Sequence, residues 1–270
     1  MRVILGLGIL AASAAPMSAQ IPAEGITWSL YGLRAGSCIH FLAPADMIKD
    51  VAPSGFVPAR ADGTPAIHPA LAQELKAEPK YDDWVPSRFC WFAFDSAATA
   101  GRTVRAKDDT RRAQSRPVAV GYWAAAIHRK GSVDGASEWA ALAIFSNQGQ
   151  LTQSLVPARY EVSSADFEIS GIDGSTDTRY QVQFDKNLVG WDGHLGDPTA
   201  PERTADTLSV GQSYVRLLLT AALGDSAYSP VGNLRVTGKG KMVAAMAASP
   251  IRMVSPIARS GVPLTWWFRK

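Results

Sequence analysis

Apolar residues along most of the chain occur in short alternating or continuous runs, and Gly, Pro and Asp separate these runs. Alternation with a period of two, bounded by turn residues, is typical of β-strands. The pattern predicts strands over residues 26–33, 38–42, 88–95, 118–129, 139–146, 180–185, 233–237, 242–248 and 264–268. Strands therefore dominate the predicted secondary structure.

Helical periodicity is confined to a few windows of the sequence. It predicts helices over residues 45–51, 69–77 and 212–223, with a short one near 151–155. The second begins with Pro69, a residue suited to the first turn of a helix. The order of elements shows no regular alternation of strand and helix, which argues against a parallel sheet. We therefore expect an α+β fold of mainly antiparallel strands: a single barrel-like or curved-sheet domain over residues 20–270, with a few covering helices.

The first residues have the three parts of a secretory signal peptide. Arg2 is followed by the uncharged run 3–15 and then by small residues, and no charge occurs between Arg2 and Glu24. The apolar run is too short to remain as a membrane anchor, which needs about 20 residues. We predict cleavage after Ala19, with Ala14 as the alternative, and hence export to the periplasm or the outside of the cell.

The charge balance excludes some classes of partner. Without Arg2, 26 basic residues stand against 24 acidic ones, so nothing predicts binding to nucleic acid or to an anionic membrane surface. The basic stretch 102–116 is interrupted by Asp108 and Asp109 and is interpreted as a solvated loop. No later run is apolar and long enough to span a membrane, so we expect no integral membrane segment after cleavage.

The chain has two cysteines, Cys38 and Cys90, both inside predicted strands. An even number of cysteines in an oxidising compartment favours a disulfide, although two buried free thiols are the alternative. A zinc site is disfavoured because the two residues are far apart and lack partners at ligand spacing.

Residues 40–60, which read HFLAPADMIKDVAPSGFVPAR, carry a resemblance to a known family. They look like the strand, short helix and Pro-x-Gly-Phe turn of the acetoacetate decarboxylase-like fold. The resemblance implies strands that wrap into a cone-shaped barrel around a buried cavity. It also implies a Schiff-base lysine in a Gly-x-Pro-Lys-Lys type segment, which this sequence lacks. Isolated lysines stand instead at Lys130, Lys186, Lys239 and Lys241. The resemblance therefore predicts a fold and a cavity more than a decarboxylase.

A Gly-rich stretch over 190–206, predicted to be a long loop, holds the first candidate site. Asp192 and Asp197 flank His194 and could orient it as a general base, or the three could share a metal. Carboxylates this close to a histidine are also common in ordinary turns.

A second group of candidates lies on the predicted strands. His40 shares a strand face with Cys38, two residues away, either as a catalytic base or as a buried, hydrogen-bonded histidine. Trp91 and Trp123 could line an apolar cavity, with Arg34 or Arg88 binding a polar group of the ligand. Packing between sheet and helices is the alternative for each ring.

Common catalytic and cofactor motifs are absent from the sequence, including GxSxG, HExxH, the phosphate loop and the dinucleotide fingerprint. We therefore expect no metal and no cofactor. The sequence favours an exported protein that binds a small apolar, carbonyl or acid ligand inside a barrel. The alternative is an exported enzyme, a decarboxylase-like lyase or a hydrolase acting on a small organic acid or ketone.

Overall fold

The computed structural model describes residues 27–61, 69–99, 102–109, 114–131, 137–149, 161–170, 177–194, 203–210, 213–220, 232–257 and 264–269. The predicted signal peptide, the helix near 151–155 and Asp197 lie outside these ranges. Within them, no helix is both long and apolar enough to cross a membrane.

The described elements are mostly strands, and three α-helices accompany them. The strands are β1 (Thr27–Ala43), β2 (Phe56–Pro58), β3 (Val85–Thr99), β4 (Arg102–Arg105), β5 (Lys107–Asp109), β6 (Gln114–Arg116), β7 (Val118–Arg129), β8 (Glu138–Ser146), β9 (Glu161–Ser170), β10 (Asp177–Phe184), β11 (Asn187–His194), β12 (Arg203–Val210), β13 (Ser213–Thr220), β14 (Gly232–Thr237), β15 (Arg252–Ile257) and β16 (Leu264–Arg269). The helices are α1 (Ala45–Lys49), α2 (Pro69–Ala77) and α3 (Lys241–Ala248), and a short 3-10 helix spans Pro79–Tyr81.

Fourteen of the strands form one curved sheet, and β5 and β6 form a separate pair. The sheet ends at β14 on one side and at β2 on the other, and these two strands do not pair with each other. All pairings are antiparallel except those of β8 with β9 and with β12. The predicted class, mainly antiparallel β with a curved sheet and few helices, is confirmed. The sheet as a whole is not a closed barrel, because the branch that leaves β8 remains open.

The branch divides the sheet into two parts that we name the ring and the arm. The ring is the succession of pairings β1–β3–β7–β8–β12–β13–β16, which returns to β1. The arm is β9–β10–β11–β14, and it leaves the ring at β8. Because β8 pairs with both β9 and β12, the sheet cannot continue as a single cylinder.

Three predicted elements differ from the structure. Residues 242–248, predicted as a strand, lie in helix α3, whose Ala- and Met-rich sequence favours a helix and whose Met242 and Met246 are buried. Residues 212–223, predicted as a helix, contain strand β13, which pairs with β12 and β16 on its two sides. The predicted loop 190–206 contains the end of β11 and the start of β12. In the last two cases, pairing with distant strands overrides the structure that the local spacing of apolar residues predicts.

Strands β1, β3 and β7 are buried on both faces, so alternate residues enter different hydrophobic clusters. The outer cluster lies between these strands and the arm with α3, and it includes Phe89, Trp91, Trp123, Tyr180, Trp191 and Met246. The inner cluster includes Trp28, Cys38, Cys90, Phe92, Tyr122, Ala124 and Ala141. Because the arm and α3 cover the outer face, the inner cluster faces the inside of the ring.

Helix α2 covers one end of the inner face. Its residues Leu71 and Leu75, one turn apart, pack with Leu42 of β1 in a third, small cluster. Leu42 is two residues from His40 and lies on the same face of β1. The helix predicted over residues 69–77 is therefore present and packs beside one of the candidate residues.

Candidate functional site

The inner face of β1 and β3 is cross-linked by a disulfide between Cys38 and Cys90. The two cysteines are opposite each other in the register of the strands, and both are buried. Their sequence separation is 52 residues, so the bond closes a long loop of the unfolded chain. The predicted disulfide is thus present, and it forms one wall of the inner face.

Arg88 is the charged residue of β3 next to this wall. It lies opposite Ala124 of β7, which in turn lies opposite Ala141 of β8. Because both neighbours are small, the long side chain of Arg88 can extend across them. Its guanidinium carbon lies 4.3 Å from the ring centroid of Trp139 and 5.6 Å from that of Tyr122. Contacts of this kind stabilise a cation, more so away from water.

The strand register places these two rings on opposite sides of the Arg88 side chain. Along the β7–β8 pair, Tyr122 is opposite Ile144 and Trp139 is opposite Ala126, on either side of the alanine pair. The guanidinium therefore lies between an indole and a phenol. We name the four residues Arg88, Tyr122, Trp139 and His40 the arginine site.

His40 joins this site from the neighbouring strand. It is opposite Arg88 in the β1–β3 register, and on its other side it is opposite Met253 of β15. It is half-buried, between the disulfide and the cluster that α2 covers. The structure thus brings together two predicted site residues, His40 and Arg88, with the predicted disulfide beside them.

Trp91 and Trp123, predicted to contact a ligand with Arg88, lie on the opposite face of the sheet. Both are 1% exposed and belong to the outer cluster. Trp91 contacts Tyr180 of the arm at 4.5 Å between ring centroids, and Tyr180 contacts Trp191 at 5.9 Å. The two tryptophans are therefore separated from the arginine site by the sheet itself.

Tyr180 is the polar centre of this packing. Its hydroxyl is 3.3 Å from the Ser37 hydroxyl, and both residues are buried. Burial raises the pKa of Tyr180 to about 12, while the Ser37 hydroxyl and the neighbouring Trp91 indole act in the opposite direction. A phenol with this pKa stays neutral at physiological pH and holds the arm against β1.

The other predicted arginine, Arg34, forms an ion pair with Asp95. The carboxylate of Asp95 is largely exposed, so this pair lies at the surface rather than in the arginine site. Arg34, which the sequence predicted to contact a ligand, therefore lies apart from Arg88 in the structure.

Two residues of the first candidate site, Asp192 and His194, lie on strand β11 of the arm, and Asp197 lies outside the described residues. Asp192 lies in β11 with two arginines near its carboxylate: Arg179 at 3.7 Å and Arg235 at 3.6 Å. Both arginine side chains are more than half exposed. His194 is the last residue of the same strand, opposite Asp177. Asp192 is therefore part of an exposed charge cluster, outside the ring.

Neither the lysines nor the metal-ligating side chains form a further site in the described part of the chain. The four isolated lysines, Lys130, Lys186, Lys239 and Lys241, are all exposed, so none lies in the desolvated, apolar pocket that the resemblance implies for a Schiff-base lysine. Across the described ranges, no three His, Cys, Asp or Glu side chains are grouped to hold a metal ion.

Two residues of the arginine site, Tyr122 and Trp139, lie in the strands predicted over 118–129 and 139–146 but were not predicted to contact Arg88. The signal that would have found them is the register of β7 and β8, which aligns Ala124 with Ala141. That register includes an irregularity between Trp123 and Ala124, which shifts the pairing by one residue. Counting alternate residues along the sequence does not reveal such a shift.

Comparison with known proteins gives structural neighbours only. No protein-family model matches the chain, and no curated protein matches it. Among solved structures, the enduracididine biosynthesis enzyme MppR complexed with pyruvate has a TM-score of 0.47 and 11% identity, with 93% of this chain and 90% of that one covered. The acetoacetate decarboxylase of Legionella pneumophila has a TM-score of 0.46 and 8% identity, with coverage of 93% and 90%.

A third neighbour is an acetoacetate decarboxylase-like enzyme from Sphingomonas wittichii RW1, with a TM-score of 0.43, 6% identity and coverage of 92% and 91%. Neighbours of the acetoacetate decarboxylase-like fold are thus found, as the resemblance of residues 40–60 predicted. With TM-scores below 0.5, the likeness carries no argument about the activity or the site residues of this chain.

Proposed function

We propose that this chain is an exported β-rich protein that binds a small, mostly apolar ligand with a carbonyl or acid group inside the ring. The observation that carries the proposal is the placement of Arg88 on the inner face, between the rings of Tyr122 and Trp139. A guanidinium stacked on aromatic rings is well suited to recognise an oxygen-bearing group, because its N–H donors lie in its own plane.

The surroundings of Arg88 support an apolar ligand body. The inner cluster continues from Arg88 through Cys90 to Phe92 and Phe94 along one face of β3. Ligand sites are typically lined by apolar and aromatic side chains with a few polar groups that fix orientation. In this proposal Arg88 and His40 orient the polar end of the ligand.

The disulfide supports export. Structural disulfides persist in the periplasm and outside the cell, and they are rare in reducing compartments. The Cys38–Cys90 bond is buried in the sheet, so it belongs to the folded structure rather than to its surface.

Native mass spectrometry of the protein purified from the exported fraction tests the proposal. We expect a retained small molecule in the native spectrum. In the denatured spectrum we expect an N-terminus after Ala14 or Ala19 and the mass deficit of one disulfide. An N-terminus at Met1 with two free thiols would remove the argument for export.

Two variants connect the retained molecule to the arginine site. Arg88→Gln should lose it, while Arg235→Gln, which removes an exposed arginine on the arm, should keep it. Retention by Arg88→Gln at the wild-type level would contradict the proposed site. Turnover of the released molecule by the wild-type protein would instead support the enzyme alternative.

A further inference from the structure

Three polar side chains meet in the outer cluster, between the ring and the arm. Ser37 of β1 and Trp91 of β3 are opposite each other in the strand register, and Tyr180 lies on β10 of the arm. The Tyr180 hydroxyl is 3.3 Å from the Ser37 hydroxyl, and its ring centroid is 4.5 Å from that of Trp91. All three residues are 1% exposed. We name them the outer polar group.

The indole of Trp91 is a buried donor that this group does not pair. Among the residues that the structure describes, its nitrogen has no hydrogen-bond partner. An indole N–H can donate but cannot accept a hydrogen bond. Burial raises the pKa of Tyr180, whereas Ser37 and Trp91 both lower it, so both side chains act on its hydroxyl. The indole N–H therefore lies near the two hydroxyls without forming a hydrogen bond of ordinary geometry.

The outer polar group has more donors than its own contact uses. Either hydroxyl can donate in the contact between Ser37 and Tyr180, and the other hydroxyl then keeps its proton for a further acceptor. The indole proton of Trp91 is a second remaining donor. The contact of 3.3 Å is also longer than the usual O–H···O hydrogen bond of about 2.8 Å. Because buried donors are costly to leave without an acceptor, the group requires an acceptor atom.

The surroundings favour a neutral acceptor over an anion. In the described part of the chain, the side chains counted as buried and polar are serines and one asparagine, and none of them carries a charge. An anion without a charged partner is expensive to bury. Water is neutral, accepts from two donors and donates to hydroxyl oxygens. Internal waters typically form about three hydrogen bonds, which equals the number of side chains in the group.

The side chains beside Trp91 in the sheet are small. Gly121 of β7 is opposite Trp91, and a Cβ atom there would lie 3.3 Å from the Cβ atom of Trp91. The next pair on the same face consists of Ala93 and Ala119, which are opposite each other. A water molecule takes up only about 30 Å³ in the liquid. We therefore expect one to fit beside the indole under the arm.

We infer that Ser37, Trp91 and Tyr180 bind one internal water molecule, which accepts from the indole and from a hydroxyl and so joins β10 of the arm to β1 and β3 of the ring. The site lies on the other face of the sheet from the arginine site. It goes beyond the proposed function, and neither depends on the other.

A high-resolution crystal structure of the purified exported protein tests the inference directly. We expect a water oxygen within about 3.2 Å of the Trp91 Nε1 atom and of the hydroxyl oxygens of Ser37 and Tyr180. A direct hydrogen bond from the indole to the Tyr180 hydroxyl, with no water between them, would overturn it. A halide at this position, recognised by its anomalous scattering, would also overturn it.

Water relaxation dispersion, measured on the oxygen nucleus, counts long-lived internal waters in solution and is not affected by hydroxyl protons. The double variant Ser37→Ala with Tyr180→Phe removes both hydroxyls with little change of shape, so it should hold one long-lived water fewer than the wild-type protein. Arg235→Gln on the exposed arm is the control and should hold the same number. An unchanged number in the double variant would contradict the inference. Circular dichroism shows whether the variant is folded, and the crystal structure of the wild-type protein decides if it is not.

Discussion

The two faces of strand β3 carry different kinds of side chain, although they alternate along one sequence. The outer face presents Phe89, whose ring contacts Phe145 of β8, and Trp91, whose ring contacts Tyr180 of the arm. The inner face presents Arg88 and Cys90, a cation between rings and a disulfide. Neighbouring residues of the chain thus enter environments separated by the thickness of the sheet.

This difference indicates a division of roles. The outer face consists mainly of buried apolar and aromatic side chains, so it stabilises the contact of ring and arm. The inner face places a half-buried arginine beside a half-buried histidine, an arrangement with a cost that a purely structural core would avoid. Substitutions of the outer-face rings should therefore affect stability, whereas substitution of Arg88 on the inner face should affect ligand binding.

The largest effect is expected from removing a ring of the outer face. Trp91→Ala should lower the free energy of unfolding by about 3 to 5 kcal/mol, because a large side chain is replaced by a cavity in a packed core. Urea unfolding followed by circular dichroism measures this loss. Trp139→Ala, at the half-buried arginine site, is the matched variant and should cost less; the reverse order would break the comparison.

Removing the disulfide should have the next largest effect. The double variant Cys38→Ala with Cys90→Ala should lose about 4 kcal/mol or less, because the unfolded chain regains the freedom of a 52-residue loop. The loss should match that of the wild-type protein measured with a reductant present. A variant as stable as the oxidised protein would show that the bond serves the inner site rather than the fold.

The buried phenol of Tyr180 makes the stability of the outer face depend on pH. Because burial raises the pKa of Tyr180 from 10.0 to about 12, its contribution to stability is fully present below pH 10 and is lost as pH rises towards 12. The expected loss is about 3 kcal/mol across that interval. Unfolding measured between pH 9 and 12 checks it, with Tyr180→Phe as the control that should lack this part of the pH dependence.

The smallest effect is expected at the exposed charge cluster of the arm. Asp192→Asn removes the carboxylate near Arg179 and Arg235, and exposed ion pairs contribute about 0 to 1 kcal/mol. Thermal unfolding should therefore change little, and ligand retention should stay at the wild-type level. A loss of the retained ligand in this variant would return Asp192 to the functional site that its sequence neighbourhood suggested.

Much of the secondary structure followed from local patterns. Residues 69–77 were predicted as a helix from Pro69 and the spacing of Leu71 and Leu75, and the helix has these bounds. Strand β7 likewise has the predicted bounds, Val118–Arg129. Residues 242–248 were predicted as a strand, but they form a helix whose Met242 and Met246 are buried in the outer cluster.

The site could be predicted only in part. His40, Arg88 and the two cysteines were identified by residue type and strand position, and the structure places them together. Trp91 and Trp123 were grouped with Arg88, but Trp91 is three positions from Arg88 on β3 and Trp123 is opposite Phe89, so both fall on the other face. Asp192 was assigned to a loop because its neighbours are glycines, whereas it pairs within β11 on the arm.

The sequence by itself determined the mainly β character of this protein and predicted the pairing of its cysteines. The alternation of apolar residues and the number of cysteines can both be read without knowing which strands are neighbours. The tertiary structure alone decided which strands are neighbours, and hence that Arg88 extends across Ala124 and Ala141 to lie between Tyr122 and Trp139. The physical reason is that register and bulges depend on the packing of distant strands. A shift of one residue exchanges the two faces of a sheet.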